Sequence, residues 1–366
     1  MLNWFTRRGV APRAQPSPQA PARAETKAHL SALPPGAPHA VPPASVTPPT
    51  GASLAASFTR MYGRLGERAR ALVAALEPGP CADDVRLLVD LLLNSEGTGI
   101  RPIPTAAKRA LSLARNPESS LLEVADAFER DPSLAEGLLR MANSAWYRGG
   151  DEPVESLGDA LQRTGSSGAE IVIMENALKG TLCRPGGAYD AMVTQVWLHL
   201  SRTAPIARAL AVSFGPEPES AFMLGLLHDA GKLVLFDAMS ELRRRARRAM
   251  HLPYPVLREL LMELHEPLGG LAMLRWGLDL ERARAVADHH RRTVPQVTDP
   301  VSELLFVAER TDLALTAGRT CEPPRWIAEG GLTIGAQALR RALVDATGGS
   351  LRVVARDDDA GATRAA

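Results

Sequence analysis

Six of the eight histidines in this 366-residue chain fall between positions 199 and 290. His199, His228, His265, His289 and His290 stand at helix-like positions, whereas His251 lies in a turn-like Leu-Pro context. The sharpest feature is Gly225-Leu226-Leu227-His228-Asp229-Ala230-Gly231-Lys232-Leu233, where an imidazole and a carboxylate are adjacent at the end of an apolar helix run. Neutral imidazole and carboxylate are the ligands a divalent iron, manganese or zinc ion takes up, and such an ion lowers the pKa of water toward neutrality. Lys232 is a candidate phosphate-binding residue beside them.

One helix face carries only residues three and four apart, so a helical metal centre must draw its ligands from several helices. The candidate ligands are His199, the His228-Asp229 doublet, His265, His289, His290 and Glu309, each in a different apolar context. Adjacent helical residues point about 100° apart, so His289 and His290 are expected to send one ring to the ion and the other to the surface or behind it. A structural alternative for the doublet is a hydrogen-bonded imidazole beside a carboxylate that caps the turn opened by Gly231.

The surrounding sequence is specific. Val196-Trp197-Leu198-His199 lies upstream of the doublet, Leu264-His265-Glu266-Pro267-Leu268-Gly269 and Ala287-Asp288-His289-His290 lie downstream, and Val307-Ala308-Glu309 follows. Farther upstream come Arg101-Pro102-Ile103-Pro104, Asp131-Pro132-Ser133-Leu134, Leu138-Leu139-Arg140-Met141-Ala142-Asn143-Ser144-Ala145 and Ser156-Leu157-Gly158-Asp159-Ala160-Leu161. Together these resemble the HD superfamily of metal-dependent phosphohydrolases, and more closely its HDOD branch, over about residues 97 to 295. The resemblance implies that Asp229 binds or bridges metal, with His199, His228 and a late carboxylate as further ligands. In the HD-GYP relatives, which cut cyclic dinucleotides, positions matching His265, His289 and His290 complete a site for two or more metals. Two departures stand out: the late Asp is Glu309, one methylene longer, and Arg291-Arg292-Thr293-Val294-Pro295 replaces a Gly-Tyr-Pro motif.

A formal net charge of +1 gives no long-range pull toward nucleic acid or anionic membrane, and nucleic acid is not an expected partner. Three widely spaced cysteines, Cys81, Cys183 and Cys321, fit neither a disulfide framework nor a thiolate metal site, which suits a reducing cytoplasm. No apolar run reaches the roughly 18 residues of a membrane span, and no signal-peptide core follows Met1 to Arg8. Residues 11–50 hold eleven prolines and no aromatic residue, so a disordered or polyproline-like arm is expected, with Leu2, Trp4 and Phe5 as a frayed tip. His29, His39 and His251 are expected to be solvated.

The elements that must position the site read as helices throughout. Ala, Leu and Arg dominate, aromatic content is 4%, and period-two alternation is scarce. Leu54, Phe58, Met61, Tyr62 and Leu65 share one helix face; Asp83 or Asp84 is expected to cap a second helix. Ser120 to Glu123 forms a capping box ahead of a stripe of Leu121, Val124, Ala125 and Phe128. Asp131-Pro132 opens a helix that buries Leu134, Leu138, Leu139 and Met141, and Asn143-Ser144 should end it by bonding the freed carbonyls. The expected architecture is an all-α, orthogonally packed multi-helix HD-like bundle. Its divisions are an arm (1–51), a helical preface (52–96), the HDOD domain (97–295), a helical extension (296–348) and a disordered tail (349–366).

Two features remain. Glu241 to Arg248 holds five arginines, a local positive stripe that suits phosphate-rich ligands, an acidic partner or plain solvent. Glu329-Gly330-Gly331 reads as a loop without a phosphate-binding lysine. The HDOD resemblance implies a noncatalytic binding or adaptor protein of bacterial signal transduction, with a protein partner in that pathway. The alternative is a metal-dependent phosphohydrolase acting on a nucleotide or cyclic dinucleotide, which would also make a nucleotide its ligand.

Overall fold

The computed structural model describes residues 51–93, 99–149, 152–184, 187–247, 250, 252–290 and 299–353. The proline-rich arm with its Leu2-Trp4-Phe5 tip, His29, His39, His251, Arg248 and residues 354–366 lie outside the described residues. Within them the chain is all-α. In order come α1 (Gly51–Ala74), α2 (Pro80–Leu93), α3 (Thr105–Arg115), α4 (Leu121–Glu129), α5 (Pro132–Ala142), α6 (Ala145–Arg148), α7 (Leu157–Leu182) and α8 (Asp190–Phe214). They are followed by α9 (Pro218–Leu227), α10 (Ala230–Ala246), α11 (Tyr254–Arg275), α12 (Leu280–Ala287), α13 (Pro300–Thr316), α14 (Pro323–Gly330) and α15 (Ala336–Thr347). No described helix is long and apolar enough to cross a membrane.

The local signals mostly hold. Ser120 and Glu123 cap each other's backbone at α4, and Asp131 accepts from the Ser133 N–H ahead of Pro132. α2 departs from expectation because Pro80, whose missing N–H costs nothing at a first helical position, starts it earlier. Asp83 therefore lies inside the first turn and pairs with Arg86 at 2.9 Å, while Asp84 is buried. On α4, Val124, Ala125 and Phe128 face the core but Leu121 is 54% exposed. α5 turns Leu134, Gly137, Leu138 and Ala142 inward and leaves Leu139 and Met141 half-buried.

Asn143 does not bond freed carbonyls with its side chain. Its amide clamps both backbone groups of Val154 at 2.8 Å, tying the α6–α7 connection down, while its own N–H serves Leu139 and Met141. α7 gathers α3, α4 and α5 around itself and kinks where Gly165 adopts φ +66°. Arg208 of α8 joins this half to the next. Its guanidinium lies 4.1 Å from the Phe222 ring, 5.1 Å from Tyr147 and 5.3 Å from Trp146. Tyr147 and Trp146 in turn donate to Glu219 at 2.8 and 3.2 Å.

In the second half, α8 packs on α9 and α13, and α11 packs on α10, α12 and α1. Two glycines set the spacing. A Cβ on Gly231 would lie 2.0 Å from the His265 carbonyl oxygen, and one on Gly225 would lie 2.8 Å from the Ala204 Cα. Only glycine allows α10 to reach α11, and α9 to reach α8, this closely.

The preface is fastened to this half by charge. Pro267 inside α11 has no N–H to offer the Glu263 carbonyl four residues back, and Arg68 of α1 donates to that carbonyl at 2.9 Å. Arg284 reaches back to Ser57 at 2.6 Å. At the other end, buried Glu303 accepts from the Thr333 N–H and hydroxyl at 2.9 and 3.0 Å. Order also runs past 349, where a tail was expected: Leu351 is buried and the Cys321 N–H donates to Arg352 at 2.7 Å.

Candidate metal centre

The helices bring every proposed ligand to one place. α8 supplies His199, the α9 C-terminus His228, the α10 N-terminus Asp229, α11 His265, the residues just past α12 His289 and His290, and α13 Glu309. They form two sets. His199, His228, Asp229 and Glu309 each offer an atom within 4.8 Å of the others, as do Asp229, His265, His289 and His290.

Asp229 belongs to both sets and divides its oxygens between them. Oδ2 is 3.7 Å from Nε2 of His199 and of His228; Oδ1 is 3.5 Å from Nε2 of His265 and 3.7 Å from Nε2 of His289. Lys232, one turn into α10, bonds Oδ2 at 2.5 Å and is buried. Its ammonium thus faces the shared carboxylate.

The expected splitting of His289 and His290 does not occur. α12 stops at Ala287 and Asp288 leaves the helix at φ −129°, so the 100° stagger of a helix no longer applies. Both rings reach the centre, 4.2 Å apart at their centroids. His289 is buried, and the His290 ring keeps 23% of its exposure.

Four imidazoles are aimed through Nδ1. It donates to Gly225 O from His228 (2.8 Å), to Leu261 O from His265 (2.7 Å), to Val286 O from His289 (2.7 Å) and to the Asp312 carboxylate from His199 (2.7 Å). Each therefore turns Nε2 inward, the arrangement metal-binding histidines require. Asp312 was not anticipated from the sequence. Arg202 grips it at 2.6 and 3.1 Å. Its signal was its position three residues after Glu309, on the same face of α13. Glu266 was also missed: it accepts the His290 N–H at 3.1 Å and pairs with Arg68 at 3.1 Å.

Electrostatics divide these groups. Burial drives His228 well below the ordinary histidine range and His265 down to about 3, so both stay neutral. Burial opposes ionisation of Asp229, but Lys232 and the neighbouring imidazoles outweigh it and hold the carboxyl well below its usual value. Glu309 moves the other way, raised by burial and by the nearby Asp229 charge. Asp312 stays low because the His199 and Arg202 bonds outweigh burial.

The donor set fits a divalent ion. Nε2 of His199 lies 3.1 Å from Nε2 of His228, and with both Nδ1 atoms spent as donors these are two facing lone pairs. A shared proton or a cation must lie between them. In the other set, Asp229 Oδ1 and His289 Nε2 lie 3.7 Å apart, both buried without a hydrogen-bond partner. An ion about 2.0–2.1 Å from each of its donors places adjacent donors about 3 Å apart, so one ion in each set fits these spacings.

The chain matches the HDOD domain family over residues 100–292. It belongs to the HDOD family. No curated protein matches it. Among solved structures, a provisionally named metal-dependent phosphohydrolase from Shewanella amazonensis SB2B shares 20% identity at a TM-score of 0.57, covering 74% of this chain and 98% of that one. An HDOD domain protein of unknown function from Geobacter sulfurreducens shares 18% (TM-score 0.47; 79% and 90% covered). A provisionally named signal transduction protein from Marinobacter aquaeolei VT8 shares 19% (TM-score 0.49; 79% and 64% covered). The first places this HDOD domain in the HD-like helical fold.

Proposed function

We propose that this chain is a bacterial HDOD signal-transduction protein that works by binding a protein partner, from a domain built around a divalent metal centre. Its organisation is a core domain over 97–295, flanked by the preface (52–96) and the extension (296–348). The observation that carries the metal is the His199–His228 contact at 3.1 Å between inward nitrogens. His199, His228, Asp229 and Glu309 would hold one ion, and Asp229, His265, His289 and His290 a second. Iron, manganese and zinc all suit this imidazole and carboxylate set. Binding rather than turnover is favoured because six of the seven ligand side chains are at most 5% exposed, which leaves His290 as the side chain that meets solvent.

Elemental analysis of the purified full chain tests this. One ion per ligand set is expected, lost from both sets in Asp229→Ala and from one in His199→Ala or His265→Ala. A metal-free protein that takes up none of the three ions would overturn the reading.

A phosphohydrolase is the second reading, favoured by the doubled ligand set and by Lys232 beside the shared carboxylate. A bound cation would supply Lewis acidity toward a phosphate ester, and Lys232 would steady its charge. Hydrolysis of cyclic dinucleotides or generic phosphodiesters by the loaded protein, lost in His228→Ala, would establish it. Silence across those substrates leaves the binding protein.

A further inference from the structure

The arginine-rich end of α10 plays no part at the metal centre, yet it lines a cavity of about 240 Å³. Arg184 and Tyr189, from between α7 and α8, line it as well, and so does Arg101 from ahead of α3. The Tyr189 ring lies 5.5 Å from that of buried Phe236, so the cavity has an aromatic wall with a firm backing.

The ion pairs around this cavity are unevenly used. Arg101 forks onto Asp237 at 2.9 and 3.1 Å and approaches Glu241 at 3.6 Å. Arg244 and Arg245 fold back on the same Glu241. Asp190 is engaged by the Gly187 N–H at 2.7 Å. The acidic groups lining the cavity are thereby committed, whereas Arg184 and Arg243 have no carboxylate within 4.0 Å among the described residues. Two uncommitted guanidiniums beside an aromatic face match a phosphate joined to a flat ring: guanidinium forks pair with phosphate oxygens, and ring faces stack on bases. The volume is below the roughly 300–1,000 Å³ of pockets that enclose drug-sized ligands, so a nucleotide would be held in part, with the remainder in solvent, and a dinucleotide would not fit.

We propose that this cavity binds a mononucleotide, its phosphate on Arg184 and Arg243 and its base against Tyr189. The site is separate from the metal centre, with Arg243 about three turns and 16 Å along α10 from Lys232.

Isothermal titration of the full chain with AMP, GMP, adenosine and ribose 5-phosphate tests it. AMP or GMP should saturate the protein at least about tenfold more tightly than adenosine or ribose 5-phosphate, since each of those lacks one half of the recognition. The double variant Arg184→Gln/Arg243→Gln should lose at least about tenfold in affinity. Ser240→Glu, which puts a carboxylate on the cavity lining, should do the same and guards against misfolding of the double variant. Nucleotide affinity should be the same before and after the protein is treated with a chelator, which keeps this result independent of the metal centre. Equal affinity for ribose 5-phosphate and the nucleotides would remove the base from the assignment. No saturation, or binding that both arginine and Ser240 variants retain, would overturn the site and leave a solvated arginine stripe.

Discussion

Arg208 and His199 sit on the same helix, about 13 Å apart along its axis, and both belong to buried charged clusters. Around Arg208 the charge is met mainly by ring faces and a nearby carboxylate, while its Nε is buried without a hydrogen-bond partner. Three aromatic rings face the guanidinium, and Glu219, itself held by Tyr147 and Trp146, lies 4.0 Å away. Around Asp229 the protein supplies acceptors and lone pairs in excess: four inward Nε2 atoms, a shared carboxylate and Glu309, with Lys232 as the ammonium on Asp229. Burying polar groups without partners is costly: the first cluster surrounds its one positive charge with ring faces and a carboxylate, whereas the second gathers several acceptors that a cation would satisfy together.

Several substitutions would break or sharpen that contrast. The largest effect is expected from Asp229→Ala, which should abolish metal content and make thermal stability indifferent to chelators, whereas wild type should melt lower once stripped. A wild-type melt unchanged by chelation would erase the distinction. Gly231→Ala should come next, because a methyl group 2.0 Å from the His265 carbonyl must push α10 from α11. Lowered urea stability together with loss of metal is expected, and a normal metal content would count against close approach as the device that builds the site.

At the other cluster, Arg208→Met keeps most of the volume but strands the half-buried Glu219. It should cost about 3 kcal/mol in urea unfolding and leave metal content unchanged. Asp312→Asn should leave the fold intact and weaken metal binding about 10–100-fold by releasing the His199 ring. It also carries a pH signature. The folded Asp312 carboxyl lies below its usual value, so its contribution is whole above about pH 4 and fades as pH falls through the folded pKa. Wild type should therefore lose its advantage over Asp312→Asn on acidification below about pH 4, as followed by unfolding midpoints. Smallest is Ser120→Ala, expected to cost about 1 kcal/mol through the lost cap and to leave both clusters untouched.

Much of the site was legible because its ligands sit in locally distinctive strings. His228-Asp229 falls at a helix end that the apolar run Leu224 to Leu227 announces, and the HD-like resemblance extends the same expectation to His199 and His265, with Glu309 standing where a late Asp is expected. What escaped was whatever depended on a partner from another helix. Asp312 is an ordinary polar residue of an amphipathic helix until α8 brings His199 to it. Arg68 reads as a surface arginine of the preface until Pro267, two hundred residues later, leaves a carbonyl for it. The His289 and His290 expectation failed because it assumed helical geometry one turn too far.

Sequence alone was enough for the helical class, the capped starts of α4 and α5, and the kinds of atom available for chemistry, because periodicity, capping and ligand type are properties of neighbours along the chain. Convergence was decided elsewhere. That five segments bring candidate ligands to a carboxylate carried by a sixth, with its two oxygens parted between two ligand sets, follows from how α8 to α13 pack, including the contacts that Gly225 and Gly231 permit. Distances across helices depend on side-chain volumes and hydrogen bonds contributed by both partners, and no stretch of one strand of text contains both.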